Sequence, residues 1–195
     1  MATPFLLDTN AYYRFFQDPK RRNSTENDTY NRLLQKVTVR TMKSFYISEI
    51  TSMEIHSVLG KYRRGIQSQQ QKCVREIIVA GKAERCDHTW ITRGMRQKPL
   101  KWFQDMQKMT ADIEAQRGGL QATVLDLDKA SIQAARDLLM QYAALHNLGS
   151  HDALIAGSLL AKKKDGLNLT LITSDKDLKK VLKKADIGFY DPLNP

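Results

Sequence analysis

The sequence predicts an α/β protein built on a mostly parallel sheet with helices on both faces. Five short strand-like segments are spread along the chain, helical patterns separate most of them, and 195 residues with 42% apolar content can bury one good core. Charged residues make up 27% of the chain, and no apolar run approaches the roughly 18 residues of a membrane span. A soluble protein with no membrane partner is expected.

Phe5 to Leu7 read as a short buried strand, and Asp8 falls where that strand gives way to a helix in LLDTNAYYRFF. Asp28 to Thr41 has a helical pattern. Phe45 to Ser48 (FYIS) form the second strand, and the helix Thr51 to Tyr62 follows, with Thr51 and Glu54 spaced as a capping box. Thr123 to Leu125 (TVL) are the third strand. Asp128 to Leu145 places Ile132, Ala135, Leu138, Leu139 and Tyr142 on one helical face, and a further helix runs from Ser150 to Lys163. The fourth strand is Leu169 to Thr173 (LTLIT). The last helix begins near Ser174 with Leu178, Val181 and Leu182 as its buried stripe, and Ile187 to Tyr190 (IGFY) close the sheet.

The middle of the chain reads differently. From Lys61 to Arg117 there are 13 Lys or Arg against 6 Asp or Glu, both tryptophans, and no strand pattern. A helical basic insertion over about residues 61–120 is expected, broken around Arg93 to Pro99 and at Gly118 and Gly119. The whole chain, 1–195, is expected to be one domain carrying that insertion. MATPFLLDTN has no basic n-region and Asp8 interrupts its apolar stretch, so export by a signal peptide is not expected and a cytoplasmic location is. Cys73 and Cys86 are too few for a disulfide framework and match no common zinc spacing, so they read as ordinary reduced thiols.

In an open parallel sheet, ligands bind beyond the carboxyl ends of the strands. Asp8 follows the first strand, Glu54 lies one turn into the helix after FYIS, Asp152 opens the helix in GSHDALIAG, and Asp175 follows LTLITS. Each alone also suits a helix cap, where an acid satisfies free amides and complements the dipole. Together they lie at every junction that would reach one edge, in a chain of net charge +10. Two carboxylates about 4 Å apart repel by roughly 4 kcal/mol at an effective dielectric near 20, so a cluster must take up protons or bind a cation. Oxygen donors without Cys or His suit a hard ion, Mg²⁺ or Mn²⁺, which can activate water and offset charge on a phosphodiester. The basic balance suits a polyanion, nucleic acid or anionic lipid, without deciding between them.

The stretches LLDTNAYY, ISEITSMEI, SHDALIAG and LITSDKDL, in this order, resemble the motifs of the PIN-domain ribonucleases, in particular the VapC-type toxins of bacterial toxin–antitoxin systems. The resemblance covers about residues 4 to 190, with a longer basic middle than the shorter family members have. It implies a three-layer α/β/α fold with a five-stranded parallel sheet, and places Asp8, Glu54, Asp152 and Asp175 in a site for Mg²⁺ or Mn²⁺. It matches Asn10 and Thr173 to polar positions that orient the ligands. Asp177 is a rival to Asp175, and the motif favours Asp175. The implied activity is metal-dependent endoribonuclease, with RNA as substrate and an antitoxin as inhibitory partner.

His151, beside Asp152, reads as an exposed helix-start residue that could also meet phosphate. Asp126 and Asp128 also lie beyond a strand and could reach the rim of the site, but they read first as surface or capping acids. Lys61, Arg63, Arg64, Lys72 and Arg75 suit an RNA track or an ordinary solvated face. The insertion leaves open whether the extra residues clamp RNA, form a homodimer interface or receive an antitoxin. Two other functions share these features: a PIN-like nuclease of RNA processing or DNA, and a non-catalytic RNA-binding module.

Overall fold

The structure is a computed structural model that describes residues 4–39, 42–79, 82–86, 88–92 and 94–195. The N-terminal residues 1–3, the expected helix end at Arg40 and Thr41, and the start of the expected break at Arg93 lie outside the described residues. The chain divides into two compact units, residues 1–56 with 106–195, and residues 57–105.

In chain order the elements are β1 (Phe5–Leu7), α1 (Thr9–Tyr13), α2 (Ser24–Val37), β2 (Thr38–Val39), β3 (Met42–Ser48) and α3 (Glu49–Arg64). Then come β4 (Gln69–Lys72), β5 (Glu76–Val79), β6 (Lys82–Arg85), β7 (Thr89–Thr92) and α4 (Leu100–Glu114). The chain finishes with β8 (Leu120–Leu125), α5 (Lys129–Tyr142), α6 (Ser150–Lys164), β9 (Thr170–Ile172), α7 (Lys176–Lys184) and β10 (Phe189–Tyr190).

The first unit is a three-layer α/β/α sandwich. Its parallel strands run in the order β10, β9, β1, β3, β8, and β2 adds a short antiparallel partner at the start of β3. Alternation along the strands divides the core between the two faces. Leu6, Tyr46 and Leu171 join the helical apolar cluster of Leu138, Tyr142, Ile155, Leu159, Leu178 and Leu182. On the other face Phe45 meets Tyr12 and stacks on Phe15 at 5.4 Å. Gly157 lets α5 and α6 pack closely, because a Cβ there would lie 2.5 Å from the Ser131 carbonyl oxygen.

Three expectations are corrected here. The second helix starts a turn earlier than Asp28 because Asn23 and Glu26 form a complete capping box. Thr51 does not open α3: Ser48 Oγ accepts the Thr51 amide at 3.1 Å, so the Thr51 and Glu54 box gives way to a cap one element earlier. Ile132 is 41% exposed, while Ala135, Leu138 and Tyr142 of the same helix are buried as expected.

The second unit overturns the reading of the middle as helical. Between the last turn of α3 and the first turn of α4 lie four short strands, β4 paired antiparallel with β7 and β5 with β6. The strand-forming residues are there in Ile77, Ile78, Val79 and in Thr89 to Thr92, yet β4 and β6 are exposed throughout, so no burial alternation marks them. Gly65 ends α3 at φ +73°, where a Cβ would meet the Met95 carbonyl oxygen at 2.7 Å.

Candidate active site

The sheet topology places the first and last motifs side by side. β1 and β9 are parallel neighbours with Leu7 level with Ile172, so the residues that leave them, Asp8 and Thr173, emerge together. The Asp8 amide donates to the Ile172 carbonyl at 3.1 Å. Asp8 then caps α1, its Oδ1 accepting the Ala11 amide at 2.6 Å, with only 4% of the residue exposed. Thr173 is fully buried; it hydrogen-bonds the Asp8 carboxyl and its Oγ1 accepts the Asp175 amide at 3.1 Å. Asp175 caps α7 through Oδ1, which takes the amides of Asp177 at 2.9 Å and Leu178 at 2.7 Å.

Glu54 reaches the same edge from α3. The Thr9 hydroxyl donates to its Oε2 at 2.5 Å, and His151 Nδ1 lies 3.5 Å from its Oε1. Because Ser48 takes over the cap of α3, this carboxylate is free of the backbone and available to α1 and α6. Asp152 stands in the first turn of α6, half-buried, with the Gly149 backbone N–H drawing on its carboxylate.

The four acids share one electrostatic field. Burial pushes the Asp8 carboxyl up to about 7; bonds from Thr173 and Ala11 oppose the shift, and the charges of Asp152 and Asp175 reinforce it. Burial also raises Asp152, and Asp175 adds to that more than Glu54 does, while Gly149 and His151 pull the other way. Burial first and like charge second favour the protonated forms of Asp8 and Asp152, and a cation placed among these carboxylates would favour the charged forms instead.

The donors fit a hard divalent ion by chemistry: they are carboxylate oxygens with no thiolate among them. Among the described residues, no three His, Cys, Asp or Glu side chains close around a single point.

The remaining expected residues divide. Asn10 is exposed on the first turn of α1. Asp177 is turned to Lys180, 2.7 Å away, and that partner holds its carboxyl below the usual range, so its carboxylate answers to its own helix. Asp128 caps α5 and binds Lys162 at 2.9 Å; the Ser131 amide foremost, then Lys162, lower it to about 2. Asp126 is exposed. Lys61, Arg63 and Arg64 lie in the last turn of α3, Lys72 ends β4 and Arg75 follows it, all within the second unit. There Trp102 packs on Tyr62 and Lys98, and Trp90 is half exposed. The contact that sequence reading missed is Thr9 to Glu54; its only signal is a hydroxyl beside Asp8 in LLDTN.

No family model matches the chain, and no curated protein does. Among solved structures, a chain of the DNA-bound VapBC from Salmonella typhimurium superposes with a TM-score of 0.50 at 15% identity, over 97% of this chain and 98% of that one. The two chains share a fold. A toxin–antitoxin complex from Klebsiella pneumoniae gives a TM-score of 0.49 at 15% identity, over 96% and 97% of the two chains. The expected PIN-like α/β/α fold with its five parallel strands is therefore the observed one. Among the described residues no helix is long and apolar enough to cross a membrane.

Proposed function

We propose that this protein is a metal-dependent endoribonuclease acting in the cytoplasm, a VapC-like toxin held in check by an antitoxin. The observation that carries the reading is the buried Asp8, raised to about 7 beside Asp152 and Asp175 at the carboxyl edge of the sheet. The shared fold with a VapBC chain supports it.

Asp8, Asp152, Asp175 and Glu54 would hold Mg²⁺ or Mn²⁺. A bound ion of this kind supplies charge against the scissile phosphate and lowers the pKa of water. The chain's own residues set the stage. Thr173 fixes Asp8 and the amide of Asp175, Thr9 fixes Glu54, and both restrict the carboxylates to a few orientations. The caps at Asp8 and Asp175 each engage Oδ1 with backbone amides, which fixes the carboxylate at the start of its helix. Basic residues of the second unit, Lys61, Arg63, Arg64, Lys72 and Arg75, would bind the RNA backbone, with a homodimer as a further arrangement.

The test is incubation of the purified chain with total RNA and with DNA, in Mg²⁺, in Mn²⁺ and in chelator. Discrete RNA fragments that need the ion, from an enzyme silenced by its antitoxin, are expected. RNA bound but intact in every lane would point to a binding module, and cleavage of DNA alone to a different nuclease.

A further inference from the structure

The second unit carries chemistry that the acid site does not use. Its two strand pairs share one register: Lys72 lies opposite Thr89 and Glu76 opposite Arg85, so three residues separate the pairs on each strand. Cys73 therefore lies against His88, and Arg75 against Cys86. Cys73 N–H donates to the His88 carbonyl at 2.8 Å and Cys86 N–H to the Arg75 carbonyl at 2.9 Å, which continues the ribbon through this stretch.

Side chains of an extended ribbon alternate faces, and directly opposed residues share one. Cys73, Arg75, Cys86 and His88 accordingly fall on the same face. A side-chain contact agrees, with Cys86 Sγ 3.4 Å from His88 Nδ1, and Cys86 is near enough for its thiol to favour the Cys73 thiolate. Both thiols are partly exposed and line an open cavity flanked by Lys72 and Arg85. The chain has no other cysteine.

We propose that Cys73 and Cys86 are a redox-active thiol pair, oxidised by a hydroperoxide to an intramolecular disulfide that ties the two strands of the ribbon together. Cys73 is the attacking group. The Arg75 backbone N–H stabilises its thiolate foremost; burial opposes it next, and the Cys86 thiol and the Arg75 charge each add a smaller lowering, so the thiol sits below its ordinary value. Its thiolate sulfur, whose proton has gone to solvent, attacks the terminal peroxide oxygen; an S–O bond forms, the O–O bond breaks, and the departing hydroxide or alkoxide takes a proton from solvent to leave as water or alcohol. Cys73 is then a sulfenic acid.

Cys86 resolves it. His88 Nδ1 takes the Cys86 proton, the Cys86 sulfur attacks the Cys73 sulfur, the S–S bond forms, and the S–O bond breaks. The leaving hydroxide takes the proton from His88 and departs as water. Two thiols and one hydroperoxide give one disulfide, one water and one water or alcohol. A dithiol reductant reverses the change.

The test uses the full chain, reduced, freed of metal by chelator, and treated with one equivalent of hydrogen peroxide. The expected result is a mass lower by two hydrogens, loss of both titratable thiols, a Cys73–Cys86 crosslinked peptide in a non-reducing digest, and recovery with dithiothreitol. Cys86→Ser should stop at a Cys73 sulfenic acid that dimedone captures. Cys73→Ser should oxidise at Cys86 more slowly by about tenfold, for lack of a stabilised thiolate. Persistence of both thiols, a disulfide between two chains, or sulfinic acid at Cys73 forming as fast in the wild type as in Cys86→Ser would overturn the proposal. Both serine variants should keep the wild-type circular dichroism, and the wild-type reaction decides the matter by itself.

Discussion

Replacing Asp8 with asparagine removes a buried charge that the fold disfavours while keeping the side chain's shape. The amide oxygen can still accept the Ala11 amide, so the α1 cap survives. In the fold the carboxyl is raised from 3.8 to about 7. A raised acid binds its proton more tightly folded than unfolded, so the stability it contributes is full below pH 3.8 and is lost as pH rises through about 7. Three pKa units at about 1.4 kcal/mol each set a ceiling near 4 kcal/mol, and local relaxation brings the expected figure to about 2 kcal/mol or more. Urea unfolding of wild type and Asp8→Asn in chelator, at pH 4.5 and pH 8, cancels the titrations of groups remote from the acid cluster. The variant should gain on the wild type by that amount between the two pH values. Excess Mn²⁺ at pH 8 should stabilise the wild type, by about 2.7 kcal/mol at a hundred times its dissociation constant, and the variant far less. A stability difference that does not move with pH would refute the burial and repulsion argument.

Gly157→Ala puts a Cβ 2.5 Å from the Ser131 carbonyl oxygen and 2.7 Å from the Ala135 amide nitrogen, all backbone; a loss of about 2 kcal/mol in urea unfolding is expected. Asp175→Ala removes the α7 cap and should cost about 1 kcal/mol, whereas Asp175→Asn keeps the cap; both should weaken Mn²⁺ binding in calorimetry, and retention of affinity by either would remove Asp175 from the site. If Lys61 and Arg64 contact RNA phosphates, Lys61→Ala and Arg64→Ala should each flatten the slope of log affinity against log salt by about 0.7, and an unchanged slope would make them solvated surface.

The site was more legible than the middle of the chain, and the reason is local. Strands buried on both faces, such as Phe5 to Leu7 and Leu169 to Thr173, announce themselves as apolar runs, and an acid directly after one must lie at the sheet's edge. Where Glu54 points could not be read, because Thr51 and Glu54 fit a capping box as well as Ser48 and Thr51 fit a plain cap; the bond from Thr9 decides it only in three dimensions. Asp177 rivals Asp175 in sequence, where only the motif favours Asp175, and in the structure Lys180, one turn on, takes up Asp177. The ribbon of β4 to β7 was invisible because β4 and β6 are exposed throughout, leaving only the pair of runs around VAGK as a hairpin signal. Strands exposed on both faces carry no period to find, and the basic charge balance alone suggested a helical insertion.

The central claim, that these carboxylates hold a divalent ion to cut RNA, is tested most directly by the Mn²⁺-dependent rate of RNA cleavage in wild type and Asp152→Asn, both shown folded by circular dichroism. Changes to groups outside the ligand shell typically cost 10- to 100-fold, so the loss on changing a ligand should exceed about 100-fold, with wild-type activity abolished by chelator. Cleavage by Asp152→Asn at the wild-type rate, or cleavage by the wild type in chelator, would contradict it.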